Sequence, residues 1–314
     1  MARFPGKSRA GVFPPQLGMK VPLDWRERRR RGQFPRVEGG PYALLARLGF
    51  GYVEFPVGVE LSGEQPAAAP LEREARACRE HGLGVALHPG PGALDNALAS
   101  WFGPTADCQP AVEPVVDVCA AAARVTGGVV PVVLHPAQLG CRPAAVDEEA
   151  LREELVRRSG LFFAALERTV REVEPRLRPV AEHQVPPTPE EGIIRIGDTC
   201  DELLSVVAGC GIGLCWDTGH YILAVERYGQ AAVPPAKFLR RTAHVHLHDV
   251  VEGRDHRVIS PGSERLREFM RLLRERGFDG WVTLEYTENA IAEAGGPQAA
   301  LGRTLDALRR WSEE

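Results

Sequence analysis

Residues 243–249 read AHVHLHD, and this stretch decides how the chain is interpreted. Side chains alternate between the two faces of a β-strand, so His244, His246 and His248 share one face, and the apolar residues between them share the other. The apolar face is expected to pack on helices. The three histidines then point to the opposite side of the strand, which is the interior if the sheet closes into a barrel.

Short apolar runs recur along the whole chain, and longer amphipathic stretches separate them. Strands that alternate with helices pair in parallel through right-handed crossovers, and eight is the number that closes a (β/α)8 barrel. The alternative is an open doubly wound sheet, but the first strand–helix turn has no GxGxxG phosphate loop. We therefore predict an α/β protein with the fold of a (β/α)8 TIM barrel, a single domain over residues 1–314. The predicted strands are AGVFP (10–14), YVEFPV (52–57), LGVALHP (83–89), VVPVVLHP (129–136), RPVAEH (178–183), IGLCWD (212–217), AHVHLHD (243–249) and WVTLEY (281–286).

Helical segments are indicated by apolar residues at helical spacing. The clearest lies at 264–276, where they fall at i, i+3, i+4 and i+7, and another covers 151–173. Irregular segments follow several strands, and in a barrel such loops lie on the catalytic face. These segments are a long loop at 18–40 after the first strand, and residues 58–70, 184–198 and 250–263.

The composition excludes several classes of protein. Of the 314 residues, 44% are hydrophobic and 25% are charged, which is ordinary for a folded domain and argues against disorder. A net charge of −4 gives no overall basic field that would attract nucleic acid or a membrane surface. No transmembrane segment or signal-peptide core is evident, and the seven cysteines form no CxxC pair. We therefore expect a cytoplasmic protein with reduced thiols and no membrane partner.

Carboxylates end other strands at the same edge of the predicted barrel. By the alternation of strand residues, Glu182, Asp217 and Glu285 point to the interior, as the three histidines of 243–249 do. Three acids held close together repel one another and raise one another's pKa unless a cation lies among them. Three carboxylates with one imidazole suit a divalent ion such as Mn2+, Mg2+, Co2+ or Zn2+. We predict one such metal on the three acids and one of these histidines; the alternative is four separately hydrogen-bonded barrel residues.

The motifs that carry these residues resemble the sugar phosphate isomerase/epimerase superfamily, also known as xylose-isomerase-like or AP-endonuclease-2-like barrels. The resemblance covers roughly residues 42–310, with the motifs in the right order on the expected strands. The motifs are AEH with Glu182, WDTGH with Asp217 and His220, HLHD with His246 and Asp249, and TLEY with Glu285.

The resemblance implies a reaction. In the ketose epimerases and isomerases of the superfamily, a Glu, an Asp, a His and a second Glu hold one divalent ion, and these match Glu182, Asp217, His246 and Glu285. The two glutamates then exchange a proton with the substrate through an enediolate, while the metal polarises the substrate oxygens. This implies a metal-dependent isomerase or epimerase of a small sugar, sugar phosphate or polyol ketone, with related dehydratases and lyases left open.

The same superfamily contains endonuclease IV, which cuts DNA at abasic sites with three zinc ions. His88 in LHPG, His135 in LHPA and His220 match positions of its additional ligands. Its DxH motif falls at Asp255, where Arg257 stands in place of the expected histidine. The nuclease is therefore the alternative function, and we expect no nucleic-acid partner.

The remaining polar residues near the mouth are assigned to substrate or structure. Lys20 is expected in the loop after the first strand, as a counter-charge for an enediolate or a phosphate. The run RERRRRG (26–32) is interpreted as a solvated face, with a phosphorylated ligand as the alternative. His183 is interpreted as structural, and His244 and His248 as hydrogen-bonding neighbours of the ligands, with ligation as the alternative. The predicted substrate-binding residues are His88, His135, His220, Arg254 and His256.

A third hypothesis is a non-catalytic barrel that binds a small ligand or a partner subunit, and the altered DHR segment at 255–257 motivates it. The sequence leaves open whether copies of the chain form a homo-oligomer.

Overall fold

The structure is a computed structural model that describes Pro14, residues 16–32, Phe34, and residues 36–60, 65–89, 109–139 and 147–313. Its frame is a closed barrel of eight parallel strands surrounded by helices, so the (β/α)8 prediction is confirmed. Each strand in the following order pairs with the next, and the last pairs with the first. The barrel strands are β1 (Gln16–Lys20), β2 (Tyr52–Val57), β3 (Gly84–Pro89), β4 (Val130–Leu134), β6 (Leu177–Glu182), β8 (Gly213–Asp217), β9 (Thr242–Leu247) and β12 (Trp281–Leu284).

Helices connect successive strands and pack on the outside of the barrel. The helices at Glu148–Val173 and Glu264–Glu275 correspond to the predicted segments 151–173 and 264–276, the second ending one residue earlier, so both predictions are confirmed. Within the described residues the α-helices are α1 (Trp25–Arg30), α2 (Gly40–Arg47), α3 (Ala68–Glu80), α4 (Gln109–Thr126), α5 (Glu148–Val173), α6 (Cys200–Val206), α7 (Thr218–Tyr228), α8 (Ala236–Leu239), α9 (Glu264–Glu275), α10 (Glu288–Glu293) and α11 (Pro297–Glu313).

The first strand lies further along the chain than the sequence analysis placed it. Of residues 10–14, only Pro14 is within the described part, and the strand that closes the barrel is β1 at Gln16–Lys20. Proline has no N–H for a sheet ladder, which favours a strand that starts after the prolines. Gly18 also makes the strand hard to recognise from the sequence, because a glycine weakens the strand pattern. It is needed there, since a Cβ at this position would lie 2.3 Å from the ring of Tyr52.

The segment 18–40 is consequently not one long loop. Lys20 is the last residue of β1, and most of the arginine run forms the short helix α1. Ion pairs one helical turn apart favour this helix: Arg28 contacts Asp24 at 2.8 Å, and Arg31 contacts Glu27 at 2.9 Å.

The strand register brings polar side chains to one level at the carboxyl ends of the strands. Asp217 pairs with His246 across β8 and β9, and His246 pairs with Thr283 across β9 and β12. Two residues before Glu182 and Asp217, the inner-face residues Val180 of β6 and Cys215 of β8 belong to a small apolar cluster. The barrel interior therefore has an apolar patch on β6 and β8 just below the polar mouth, and His244 of β9 lies at the level of Cys215.

Two small sheets form in the loops at this mouth. An antiparallel hairpin follows β9 and consists of β10 (Asp249–Val251) and β11 (Arg254–Arg257). A second pair joins β5 (Gln138–Leu139) to β7 (Ile194–Arg195). Elsewhere, no helix in the described part of the chain is both long enough and apolar enough to span a membrane.

Candidate active site

Four predicted ligands come together at the carboxyl ends of β6, β8, β9 and β12. Each of them offers one ligand atom, and these atoms lie within 4.8 Å of one another. All four residues are buried, and Glu285 is the most exposed of them at 9%. The members of this group, the four-residue cluster, are Glu182, Asp217, His246 and Glu285.

The imidazole of His246 lies between the three carboxylates. Its Nδ1 is 3.1 Å from Glu182 Oε1, 2.8 Å from Glu285 Oε2 and 3.7 Å from Asp217 Oδ2. Its other nitrogen, Nε2, faces Glu54 Oε1 at 3.1 Å. One ring nitrogen is thus directed into the cluster, and the other is held by a carboxylate behind it.

The electrostatics of the four-residue cluster favour a positive charge among its carboxylates. Burial would raise the pKa of the Glu182 carboxyl, but the imidazoles around it, above all that of His246, hold this pKa well below its usual value. Burial would lower the pKa of His246, yet its anionic neighbours, including Glu54, raise it well above the usual value. Ionised carboxylates at such short separation repel one another unless a cation lies among them.

Unpaired oxygens test whether the residues fit a metal ion. Among the described residues, Glu182 Oε2 and Glu285 Oε2 are buried and make no hydrogen bond. Nitrogens lie close to both oxygens, since His246 Nδ1 is 2.8 Å from Glu285 Oε2 and His88 Nε2 is 2.9 Å from Glu182 Oε2, but without hydrogen-bond geometry. A buried polar atom without a hydrogen bond calls for an explanation. A cation in the four-residue cluster supplies one for Glu285 Oε2, whereas Glu182 Oε2 faces His88 and His135. Three carboxylates and one imidazole therefore fit a divalent ion.

Lys20 supplies a fixed positive charge beside the cluster. From the end of β1, its Nζ lies 2.5 Å from Glu285 Oε1. Burial would raise the pKa of Glu285, but Lys20 and His246 hold it well below its usual value. Glu285 is therefore kept as a carboxylate.

Glu54, a fully buried carboxylate on β2, belongs to the site although no sequence motif indicated it. It accepts a hydrogen bond from the Thr283 hydroxyl at 2.8 Å and lies 3.2 Å from His244 Nε2 and 3.1 Å from His246 Nε2. The strand alternation in YVEFPV would have shown it, because Tyr52 and Glu54 share the inner face.

Because Glu54 faces Nε2 of His246, it orients the imidazole ring so that Nδ1 points into the cluster. We expect Glu54→Gln to weaken Mn2+ binding by roughly 10- to 100-fold, as does loss of other partners that orient metal-binding histidines. Calorimetric titration of the metal-free variant measures this. A matched control is Glu226→Gln, since Glu226 is an exposed residue of α7. Unchanged affinity in Glu54→Gln would show that His246 does not need this partner.

Asp217 is fixed in place by its own helix and by a histidine. It is the N-cap of α7, and its Oδ1 accepts the backbone N–H of His220 at 2.7 Å. His248 Nε2 lies 3.0 Å from Asp217 Oδ2, and His248 Nδ1 accepts the backbone N–H of His256 at 2.8 Å. His244 similarly contacts Thr283 and Glu54. His248 thus contacts a member of the cluster, and His244 contacts Glu54, which lies behind it.

Two of the predicted substrate-binding histidines stand on the other side of Glu182. His88 Nε2 and His135 Nε2 lie 2.9 Å and 3.0 Å from Glu182 Oε2, and the two rings meet edge to face at 4.9 Å. Burial, the main cause, lowers the pKa of His88, so this imidazole is neutral. Together with Glu182 they form a second group at metal-binding spacing.

His220 and His256 lie above the cluster, near the hairpin. His220 Nδ1 bonds to the carbonyl oxygen of His183 at 2.9 Å, and its Nε2 is 3.8 Å from Asp255. His256 adopts a left-handed φ of 53° and contacts Asp255 Oδ1 at 3.0 Å and Glu285 Oε1 at 3.2 Å. Burial would lower the pKa of His256, but these two carboxylates raise it to about 10. His256 is therefore a second cation beside Glu285.

The group formed by His220, His248 and His256 also has metal-binding spacing. Both ring nitrogens of His248 are engaged, by Asp217 and by the His256 backbone, and both of His256 face carboxylates. Arg257, which stands where the sequence analysis expected the histidine of a DxH motif, pairs with Glu293 of α10. The polar atoms here already have partners within the protein.

Other predicted residues lie away from the cluster. Arg254 is exposed on the hairpin and pairs with Glu252 at 2.9 Å. His183 is buried against Tyr221 and Phe238, on the outer side of β6. Arg254 therefore makes no contact with the four-residue cluster.

The arginine run makes contacts within the protein as well as with solvent. Arg26 Nε lies 3.0 Å from the buried Glu74 Oε1, and Arg28 bridges to Glu288 of α10 at 2.8 Å. Arg30 and Arg31 remain largely exposed and pair with Glu27. The run thus attaches α1 to its neighbours, and its outer part is the solvated face that the sequence indicated.

Comparison with known proteins gives a family and a set of related folds. The family model described as xylose isomerase-like TIM barrel matches residues 42–311. A search of the curated proteins found no match.

Solved structures of the same fold include both enzyme types considered above. Endonuclease IV from Thermus thermophilus is 18% identical, with 95% of this chain and 99% of that chain covered and a TM-score of 0.54. D-Psicose 3-epimerase from Clostridium cellulolyticum H10 is 14% identical, with 95% and 99% covered and a TM-score of 0.61. A 3-keto-D-glucoside 4-epimerase from E. coli is 15% identical, with 94% and 99% covered and a TM-score of 0.62. At these identities the likeness shows the fold alone.

Proposed function

The chain belongs to the xylose isomerase-like TIM barrel family, and on that basis we propose that it is a divalent-metal-dependent isomerase or epimerase. Its substrate is a small sugar, a sugar phosphate or a polyol ketone. The observation that carries the proposal is the four-residue cluster, whose ligand atoms converge within 4.8 Å at the carboxyl ends of four strands. Catalytic residues of TIM barrels lie at this end of the strands.

Glu182, Asp217, His246 and Glu285 would hold the ion. When bound, a divalent ion supplies a Lewis acid that polarises carbonyl and hydroxyl oxygens. Asp217 and His246 act as ligands and are fixed by the α7 N-cap and by Glu54, respectively.

Glu182 and Glu285 are the acid–base pair of this proposal. Glu182 is the last residue of β6 and Glu285 directly follows β12, two strands on different sides of β9, and both glutamates contact His246 Nδ1. One carboxylate takes the proton from the substrate carbon next to the carbonyl, which leaves an enediolate. In an isomerisation the same carboxyl then passes this proton to the neighbouring carbon. In an epimerisation the other glutamate takes up a proton from solvent and delivers it to the opposite face of the carbon, while the first releases its proton to solvent.

Cations beside Glu285 support this chemistry. Lys20 and His256 contact its Oε1 at 2.5 Å and 3.2 Å, so a substrate oxygen that reaches this place meets two positive groups. Such preorganised charges stabilise the negative charge that develops on the enediolate. His88, His135 and His220 surround the same site and are proposed to bind substrate hydroxyls, and Arg254 remains a prediction.

Proton exchange with solvent tests the proposal even when the product is unknown. Incubation of the Mn2+-loaded protein with ketoses in D2O should place deuterium on the carbon next to the carbonyl, detectable by NMR. Dialysis against a chelator should abolish this exchange, and added Mn2+ should restore it. If no ketose or ketose phosphate in a broad panel exchanges, the isomerase proposal fails and the non-catalytic barrel is favoured.

A second candidate is a nuclease for abasic DNA, favoured by the approach of His88 and His135 to one oxygen of Glu182. Against it stand the net charge of −4, since phosphate contacts dominate DNA affinity, and the contact of Arg257 with Glu293. This activity would also need additional metal ions.

We expect no multiple-turnover incision of an abasic duplex oligonucleotide in the presence of Zn2+. Gel electrophoresis of the end-labelled strand measures this, with His135→Ala and His256→Ala as matched variants. Repeated turnover in the wild type that is lost in both variants would identify a repair nuclease instead.

A further inference from the structure

A large cavity opens beside the four-residue cluster. It has a volume of about 520 Å³, which lies within the range of roughly 300–1,000 Å³ typical of sites for drug-sized ligands. Its inner end is formed by Lys20, His256 and Glu285, so it is continuous with the place where we propose that the substrate reacts.

The walls of this cavity are mainly apolar. Leu44 and Leu45 of α2 form one side, and Ile291 of α10 and Leu301 of α11 form another. All four side chains are buried. Phe34 also lines the cavity. These side chains offer no hydrogen bonds to a ligand.

Apart from the exposed Asn289, the polar side chains on the described lining away from the inner end are engaged within the protein. Arg28 and Glu288 pair with each other at 2.8 Å. The hydroxyl of Thr287 accepts the backbone N–H of Ala290 and caps α10. A chain of hydroxyl groups placed here would therefore leave many of them unpaired, which disfavours a polyol because a buried polar group without a partner loses its hydrogen bonds to water.

We propose that this cavity binds an alkyl or aryl group of the substrate. The substrate is then a hydroxyketone or keto sugar whose oxygen-bearing carbons reach the four-residue cluster and whose other end is apolar. This inference rests on the proposed function for the position of the reacting end, and on the cavity walls for the apolar end.

Two hydroxamates of equal chain length test the proposal. Hexanohydroxamate and D-gluconohydroxamate share an enediolate-like head and a six-carbon skeleton, but one tail is an alkyl chain and the other a polyol. In calorimetric titration of the Mn2+-loaded protein, we expect the alkyl compound to bind at least about tenfold more tightly. From acetohydroxamate to hexanohydroxamate, affinity should rise about fourfold for each added methylene.

Filling the cavity should remove this preference. Ile291→Trp places a larger side chain in the wall, and we expect acetohydroxamate to bind within about twofold of its wild-type affinity while the gain from longer tails disappears. Val225→Trp is the matched control, because Val225 is a half-buried residue of α7 outside the cavity lining. It should keep the full dependence on chain length.

The outcomes separate this proposal from the proposed function. The titrations are repeated on metal-free protein, where overall affinity falls but the alkyl tail should still be favoured over the polyol tail. If the alkyl preference holds and no isomerase activity is found, the cavity assignment stands and the reaction is wrong. Equal or tighter binding of the gluconohydroxamate by the wild type, or a chain-length dependence that survives Ile291→Trp, would overturn the cavity assignment, whatever the reaction.

Discussion

We expect Glu182→Gln and Glu285→Gln each to lower kcat by about 10²- to 10⁴-fold, because a carboxamide cannot take up and return the substrate proton. Burial would raise the pKa of both carboxyls, but both values are held well below the usual range. The neighbouring histidines do this for Glu182, and Lys20 does it for Glu285. Each glutamate is therefore ionised and able to act as a base. Single-turnover kinetics with the exchanging ketose measure the effect.

The metal must be saturating in these assays, because loss of a charged ligand also weakens metal binding. Metal content is measured on the same samples, so that loss of the ion is distinguished from loss of the base. Glu268→Gln serves as the control, since Glu268 is an exposed residue on α9 that pairs with Arg271. Near wild-type turnover in either active-site variant would refute the acid–base assignment.

The second large effect is expected at His246. Its replacement by alanine should weaken metal binding more than the roughly 10- to 100-fold that loss of a ligand's hydrogen-bond partner costs. The reason is that Nδ1 lies within 4 Å of all three carboxylates of the cluster. Equilibrium dialysis with Mn2+ measures the change.

His183→Ala is the matched control for His246→Ala. Both histidines are fully buried in the barrel region, but His183 packs against Tyr221 and Phe238 on the outer side. Burial lowers the pKa of His183 to about 3, which keeps its ring neutral. The variant should retain full metal content. If His246→Ala binds metal as well as the wild type does, the ligand is His244 or His248.

Strand alternation accounts for most of what could be predicted about the site. In β9 it placed His246 on the inner face, and the same rule at Glu182, Asp217 and Glu285 brought the four residues to one mouth. Because parallel strands end at the same edge of a barrel, the inference needed no distances. Glu54 obeys the same rule and was missed because no motif drew attention to it.

Tertiary contacts account for what could not be predicted. β1 needs a glycine at position 18 because the ring of Tyr52 fills the space where a Cβ would lie, and no local sequence pattern reveals this contact. The left-handed backbone of His256, which brings its ring to Glu285, depends on the hairpin and on its bond to His248. The apolar cavity joins α2 to α10 and α11, which are distant in sequence.

The proposed chemistry depends above all on the binding of a single divalent ion by the four-residue cluster. Metal analysis by mass spectrometry tests this on protein that has been stripped, reconstituted with a mixture of Mn2+, Co2+ and Zn2+, and freed of unbound ions. We expect one ion per chain in the wild type and a strongly reduced content in His246→Ala. Three zinc ions per chain, or no retained metal in the wild type, would contradict the single-ion site.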